Sequence, residues 1–468
     1  MRYSAVRRCQ ATVARVTNVG ARHTRAAADD VGDRVMVLQQ RFETGQGGLM
    51  RVEMPSVRAH VQVLPMWAEH TEVEVYASEG EAAPVVDRDG VELCVREADA
   101  SSRTESAGAG TSILIRLLVP QICDVSVSTG GGNVLVADKL EGSLSVLSRA
   151  GDIDVNKVQG QFVHLDACDA NGRGGRIDVR KVLEGELALR GSVIECRRLQ
   201  GPSATLVAPP PCASASDASA SAVSDGHDSR GEISRVAVKS MFIAGDICVE
   251  SDGHVELGSV QGALDIVSGG RIAVESLTGA MNAVGGGEMI SVHVDALAGP
   301  CSIRATRGDA EVSLASPIET AVALHARAVD FDRWEHFTRS DAGEAGAATA
   351  TANAGELERV AGHLSVGSDA ASAAETPTAT STDVGSASGS TSASRVKRNS
   401  GKISKAGQQR AAVVAAAAAT RTGRAAVGGA DGEVVEENAV RVTAEEGRAT
   451  LRILSWIDMM RRKLDGLK

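Results

Sequence analysis

From residue 34 onward, apolar and polar side chains change places at every second position through short runs. Thr71-Glu72-Val73-Glu74-Val75-Tyr76 and Ser112-Ile113-Leu114-Ile115-Arg116-Leu117 are the clearest. A period of two sends successive side chains to opposite faces, so each run predicts a strand with one buried face. Similar runs stand at Arg51-Val52-Glu53-Met54, His60-Val61-Gln62-Val63 and Val91-Glu92-Leu93-Cys94-Val95. Residues 34–120 therefore read as an N-terminal β module, expected to cap whatever follows, since open strand edges invite aggregation.

From about residue 121 the pattern repeats as a phrase: a short strand, one or two linking residues, an apolar residue, any residue, glycine. Asn133-Val134-Leu135-Val136 leads to Leu140-Glu141-Gly142, and Asp152-Ile153-Asp154-Val155 leads to Val158-Gln159-Gly160. The phrase returns at Arg176-Ile177-Asp178-Val179, Val193-Ile194-Glu195-Cys196, His254-Val255-Glu256-Leu257 and Arg271-Ile272-Ala273-Val274, with a looser copy at Ile290–Val294. Where no long insertion intervenes, the closing glycines are spaced 18, 25, 16, 17 and 20 residues apart. One copy cannot bury its apolar face alone, but stacked copies share a core. The spacing is too short for a β-α repeat, and the Leu and Asn ladder of leucine-rich repeats is missing. The expected fold is all-β: a single-stranded β-solenoid over 121–335, with the N-terminal module at one end.

Composition agrees. The chain holds 50 glycines, but only three Trp, two Tyr and five Phe, so the core must come from Val, Ile, Leu and Ala. Two tracts are too polar and simple to build a core: an insertion at 208–232 and a linker at 341–432, both expected to be disordered. Alternation returns in Val440-Arg441-Val442-Thr443 and Ala449–Leu454 around Glu445-Glu446-Gly447. That pattern predicts a C-terminal β-hairpin cap with a short basic tail over 433–468. Residues 1–28 carry Arg2, Arg7, Arg8, Arg15, Arg22 and Arg25 with no acidic residue, the composition of a mitochondrial transit peptide, with a disordered basic arm as the alternative.

The Gly-Asp-Ile-x-Val phrases at 151–155 and 245–249, Val-Gln-Gly at 158–160 and 260–262, and Gly-Gly-Arg-Ile-x-Val at 174–179 and 269–274 resemble the putative-adhesin β-solenoid family. That family is widespread in bacteria and has eukaryotic relatives assigned to mitochondria. The resemblance covers roughly residues 50–335 and the final hairpin. It implies a β-solenoid fold and no enzymatic activity, and it carries over no functional residue.

Candidate chemistry is sparse. Arg307-Gly308-Asp309 spells a cell-adhesion tripeptide but also reads as a plain turn between two strands. His164 and Asp166 share a strand face, with Asp169 nearby, as acid–base or metal-ligating groups would; an outer face of ordinary polar residues looks the same. Gly130-Gly131-Gly132 and Gly285-Gly286-Gly287 lack the helix start or Lys-Ser/Thr that phosphate binding needs, so they are turns. The eight cysteines form no CxxC and read as small buried thiols in a reducing compartment. A net charge of -11 disfavours nucleic acid as a partner. No apolar run is long enough for a transmembrane helix. The basic stretches 395–410 and 461–463 allow weak contact with anionic lipid. The reading is a non-catalytic structural or interaction protein without catalytic residues, cofactor or metal, presenting a rigid surface to a protein partner in the mitochondrion. A surface or membrane-associated adhesin is the alternative; a solenoid polysaccharide hydrolase or lyase ranks below it, because aromatic sugar platforms are nearly absent.

Overall fold

The computed structural model describes residues 34–78, 84–97, 112–149, 151–169, 174–210, 234–287, 289–315, 319–331, 337–339, 358–365 and 439–455, with Asp458 and Arg461. The expected transit peptide, the insertion (all but residues 208–210), most of the 341–432 tract and the basic stretch 395–410 lie outside the described residues, as do Cys9 and Cys212.

The fold is all-β. The N-terminal strands are β1 (Val35–Glu43), β2 (Gly48–Met66), β3 (His70–Ala77), β4 (Val85–Asp89), β5 (Glu92–Arg96) and β6 (Ser112–Pro120). The middle begins with β7 (Cys123–Gly131), β8 (Val134–Glu141), β9 (Leu144–Ser148), β10 (Ile153–Asp166), β11 (Arg176–Arg190), β12 (Val193–Gly201) and β13 (Ala204–Ala208). It continues with β14 (Arg235–Ser251), β15 (His254–Ser268), β16 (Ile272–Gly285), β17 (Met289–Ala305) and β18 (Asp309–Ala315). Last come β19 (Glu319–Phe331), β20 (Phe337–Arg339), β21 (Glu358–Ser365) and β22 (Ala439–Leu454).

Each repeated phrase supplies one layer, and each layer gives a segment to two walls. In β10, Ile153–Gln159 pairs in parallel with β8, and Val163–Asp166 pairs in parallel with β9. The same two-part, parallel register joins β10 to β11, β14 to β15, β15 to β16 and β16 to β17. In the first wall, Val134, Ile153, Ile177, Ile194, Val236, Val255, Ile272 and Ile290 are register partners in succession, and all are buried. Branched aliphatic side chains suit such a column, because each packs on a near-copy of itself one strand spacing away.

The closing glycines form the corner between the walls. A Cβ on Gly160 would stand 2.1 Å from the carbonyl oxygen of Gly142, and one on Gly185 would stand 2.3 Å from that of Gly160. Gly185 also has a φ of +139°, which L side chains rarely adopt. The opposite corner is polar: Ser148 Oγ donates to Gly132 O at 2.8 Å and Ser268 Oγ to Gly253 O at 2.7 Å, both buried. The Ser148 hydroxyl supplies a donor to the Gly132 carbonyl, and the Ser268 hydroxyl joins the Gly270 N–H, 3.1 Å away, on that of Gly253.

The ends depart from chain order. In the first wall β2 (residues 58–66) pairs with β6 on one side, and its Val61–Val63 with β8 on the other; in the second wall its residues 48–54 lie between β5 and β7. Only Gln121 and Ile122 separate β6 from β7, so β2 intercalates between strands that are neighbours in sequence. Outside it, β3 and then β1 close the first wall antiparallel, and β4 closes the second.

The C-terminal end repeats the device. Val440–Ala444 of β22 pairs in parallel with β17 and β19, and Ala449–Leu454 pairs with β18, its Ala449–Leu451 also with the end of β19. Only residues 316–318 separate β18 from β19. The expected C-terminal hairpin cap is therefore corrected: β22 is an internal layer, and Glu445-Glu446-Gly447 is a corner between walls rather than a reversal. A Cβ on Gly447 would stand 2.3 Å from Gly308 O, the close stacking seen at the other corners. A second correction concerns the 341–432 tract, since Glu358–Ser365 is β21, antiparallel to β19 and to β20. Only Val360 and Leu364 of that strand are buried hydrophobics, too few to stand out against an Ala/Ser/Thr background.

Candidate functional site

The outward positions of the first wall carry the charge. Next to the buried Ile column, Gln62, Leu135, Asp154, Asp178 and Glu195 are successive register partners facing out. They arise because each phrase places a polar residue between two core residues, as in Ile153-Asp154-Val155 and Ile177-Asp178-Val179. Around Asp154 the wall opens into a cleft of about 370 Å³, lined by His60, Gln62, Asn133, Asp152, Arg176, Asp178 and Arg180 among others.

One rim of the cleft is a ladder of side chains that each accept a backbone N–H from the next layer. Asn133 donates to His60 Nδ1 at 3.2 Å, Asp152 to Asn133 Oδ1 at 3.2 Å, and Arg176 to Asp152 Oδ1 at 2.9 Å. These groups hold the corner and are committed to it. Arg176 Nη2 also donates to Glu195 Oε2 at 2.5 Å. Inside the cleft, Arg180 pairs with Oδ2 of Asp154. The other oxygen, Oδ1, is buried and has no hydrogen-bond partner. Burial raises the Asp154 pKa above the ordinary carboxylate value; Arg180 opposes that shift, and the neighbouring charge of Asp178 adds to it. A buried carboxylate oxygen without a donor carries an unmet desolvation cost. A cationic group entering here would meet Asp154 and Asp178 one layer apart.

The candidates from sequence fall elsewhere. His164 and Asp166 do share the outer face of β10 in the second wall. Crowding lowers the His164 pKa, with Asp166 opposing. Asp166, however, accepts the Cys168 N–H at 2.9 Å and lies 3.7 Å from Arg190, so it serves the turn. Arg307 and Gly308 sit in the bend between β17 and β18, and Asp309 Oδ1 accepts the Arg448 N–H at 2.8 Å. The tripeptide is a corner. Of the two glycine runs, Gly130 and Gly131 end β7 and Gly132 is a bend after it, while Gly285 ends β16 and Gly286 and Gly287 follow it.

Cys94, Cys123, Cys168, Cys196, Cys248 and Cys301 are buried free thiols. Burial pushes Cys123 and Cys301 up to about 12 and Cys168 to about 11, and Cys196 upward too, which suppresses the reactive thiolate. Among the described residues no group of three or more His, Cys, Asp or Glu is placed to hold a metal ion, and no helix is long and apolar enough to cross a membrane.

Reading the residues singly missed the Asp154 cleft. The signal was present in the aligned phrases, where the residue between the two core positions is Asp154, Asp178 and Glu195 in succession.

No family model and no curated protein matches this chain. Among solved structures, a putative adhesin from Parabacteroides distasonis is 11% identical with a TM-score of 0.29, the match covering 60% of this chain and 91% of that one. A putative adhesin from Bacteroides fragilis is 11% identical with a TM-score of 0.23, over 59% and 88%. A putative cell adhesion protein from Clostridium sporogenes is 8% identical with a TM-score of 0.17, over 89% and 99%. These are bacterial proteins, and the mitochondrial relatives expected from the resemblance are not among them. At these scores the likeness bears on neither mechanism nor partner.

Proposed function

We propose that the stacked layers form a β-solenoid that works as a non-catalytic interaction module in the mitochondrion, with the first wall as its recognition face. The observation that carries this reading is the cleft at Asp154. There an in-register acidic column, flanked by Arg176 and Arg180, leaves one buried carboxylate oxygen unmatched. A Lys or Arg from a partner protein is drawn to the carboxylates of Asp154 and Asp178 that line the cleft, while the surrounding Arg residues set its orientation. The aliphatic stack behind the face fixes the spacing of these groups, so recognition needs little ordering on binding.

The test is proximity labelling in cells with the full chain fused to a labelling enzyme, run beside an Asp154→Ala/Asp178→Ala variant. The expected result is a defined set of mitochondrial proteins that the double variant loses at least fivefold. An unchanged set would remove the cleft from the reading, and labelling of surface proteins instead would overturn the address.

A further inference from the structure

The C-terminal strand occupies a slot that the rest of the chain does not need in order to stay connected. Its ladder partners are β17 and β18 on one side and β19 on the other, joined to each other through residues 316–318. In chain order β19 is the next coil after β18. It presents buried Val322, Leu324 and Ala326 in the phase in which β22 presents Val440, Val442 and Ala444, as the shared register shows. Either strand therefore offers β17 the same apolar edge. The slot can hold β22 or close on β19 without moving a core side chain to the wrong face.

Beyond the backbone ladder, charged contacts hold β22 to the body. Arg304 Nε donates to Glu445 Oε1 at 2.7 Å, and Arg452 Nη1 lies 3.0 Å from Glu311 Oε1. Residues 366–438 separate β21 from β22, a contour of at most roughly 250 Å at ~3.3–3.6 Å per residue. That length lets β22 of one molecule reach the slot of another.

We propose that β22 is an exchangeable layer and that its second acceptor is another copy of this chain, giving a reciprocal strand-swapped dimer. Both subunits keep these ladders and ion pairs, because each slot receives an identical strand.

Charge-swapped full-length chains test this. The slot variant is Arg304→Glu/Glu311→Arg, and the strand variant is Glu445→Arg/Arg452→Glu. Each alone sets like charges against its own β22, whereas exchange between the two variants restores all four attractive contacts. The differently tagged variants are refolded together, and the dimers are counted by two-tag capture and light scattering. Mixed dimers should exceed like dimers at least fivefold, while two tagged wild-type chains pair statistically. If a variant alone loses its β-type circular dichroism, mixing should restore it. Monomers at every concentration would overturn the proposal. So would dimers whose ratio ignores the charge swap, or a lost spectrum that mixing fails to restore.

Discussion

The two ends of the molecule use the same device with different attachments. At each, a terminal strand slips between two layers that are consecutive in sequence: β2 between β5–β6 and β7–β8, and β22 between β17–β18 and β19. β2 is tied on both sides by short connections, residues 44–47 to β1 and 67–69 to β3, and both of those strands belong to the outer antiparallel closure. The described strand before β22 is β21, which ends at Ser365, with residues 366–438 between it and Ala439. The lesson is that equal burial does not mean equal retention. A layer is held by its ladder and by what its connections allow.

The largest effect expected from this difference is on a buried charge. Val52 in β2 and Val442 in β22 are 0% and 1% exposed. An unpaired carboxylate in either place costs several kcal/mol, a large share of a stability of about 5–15 kcal/mol. Val52→Asp should abolish the cooperative thermal transition. Val442→Asp should expel β22, keep a folded body and leave residues 439–468 open to protease. Loss of the transition in both would erase the distinction.

Next in size is a common reference. Gly185→Val sets a side chain against Gly160 O at a φ of +139° in the middle of the stack. Strain of this kind costs about 3 kcal/mol or more. Urea unfolding should show that loss, while protease sensitivity of the two ends stays as in the parent chain.

The third measurement reads both ends in one sample. Cys123 is the register partner of Gly48 in β2, and Cys301 that of Val440 in β22. Both thiols are buried, with pKa values pushed up to about 12, so labelling requires opening. Alkylation followed by mass spectrometry should find Cys301 modified about tenfold faster, equivalent to ~1.4 kcal/mol in opening free energy. Equal rates would show that the connections do not matter.

Asp154 gives the smallest effect, near the β2 end. Its folded pKa lies above the unfolded value, so its charged form opposes folding above the folded pKa, and that penalty is relieved as pH falls through it. Asp154→Asn should therefore raise the urea midpoint slightly near neutral pH, with the gain fading in acid. A gain that grows in acid would reverse the sign.

How much of this was legible depends on distance along the chain. The strands were, because alternation within a phrase is a local signal, as in Ile153-Asp154-Val155 and Val255-Glu256-Leu257. The intercalations were not. Nothing in Val440-Arg441-Val442-Thr443 says that its neighbours lie at Cys301 and Val322, because β19 and β22 carry the same pattern in the same phase. A hairpin was the natural reading of two alternating runs around Gly447, since corner and reversal both call on glycine. The charged column was hidden differently. Asp154 alone is an ordinary outward residue, and only the stacking of phrases puts it beside Asp178.

The position of β22 also imposes an order on biosynthesis. β19 leaves the ribosome roughly a hundred residues ahead of β22, about 5–20 s earlier at ~5–20 residues per second. For that interval the nascent chain holds an interior seat whose occupant has not been made. The final pairing of β17, β18 and β19 around β22 therefore waits on a strand made well after all three, so the local order of assembly differs from the order of synthesis.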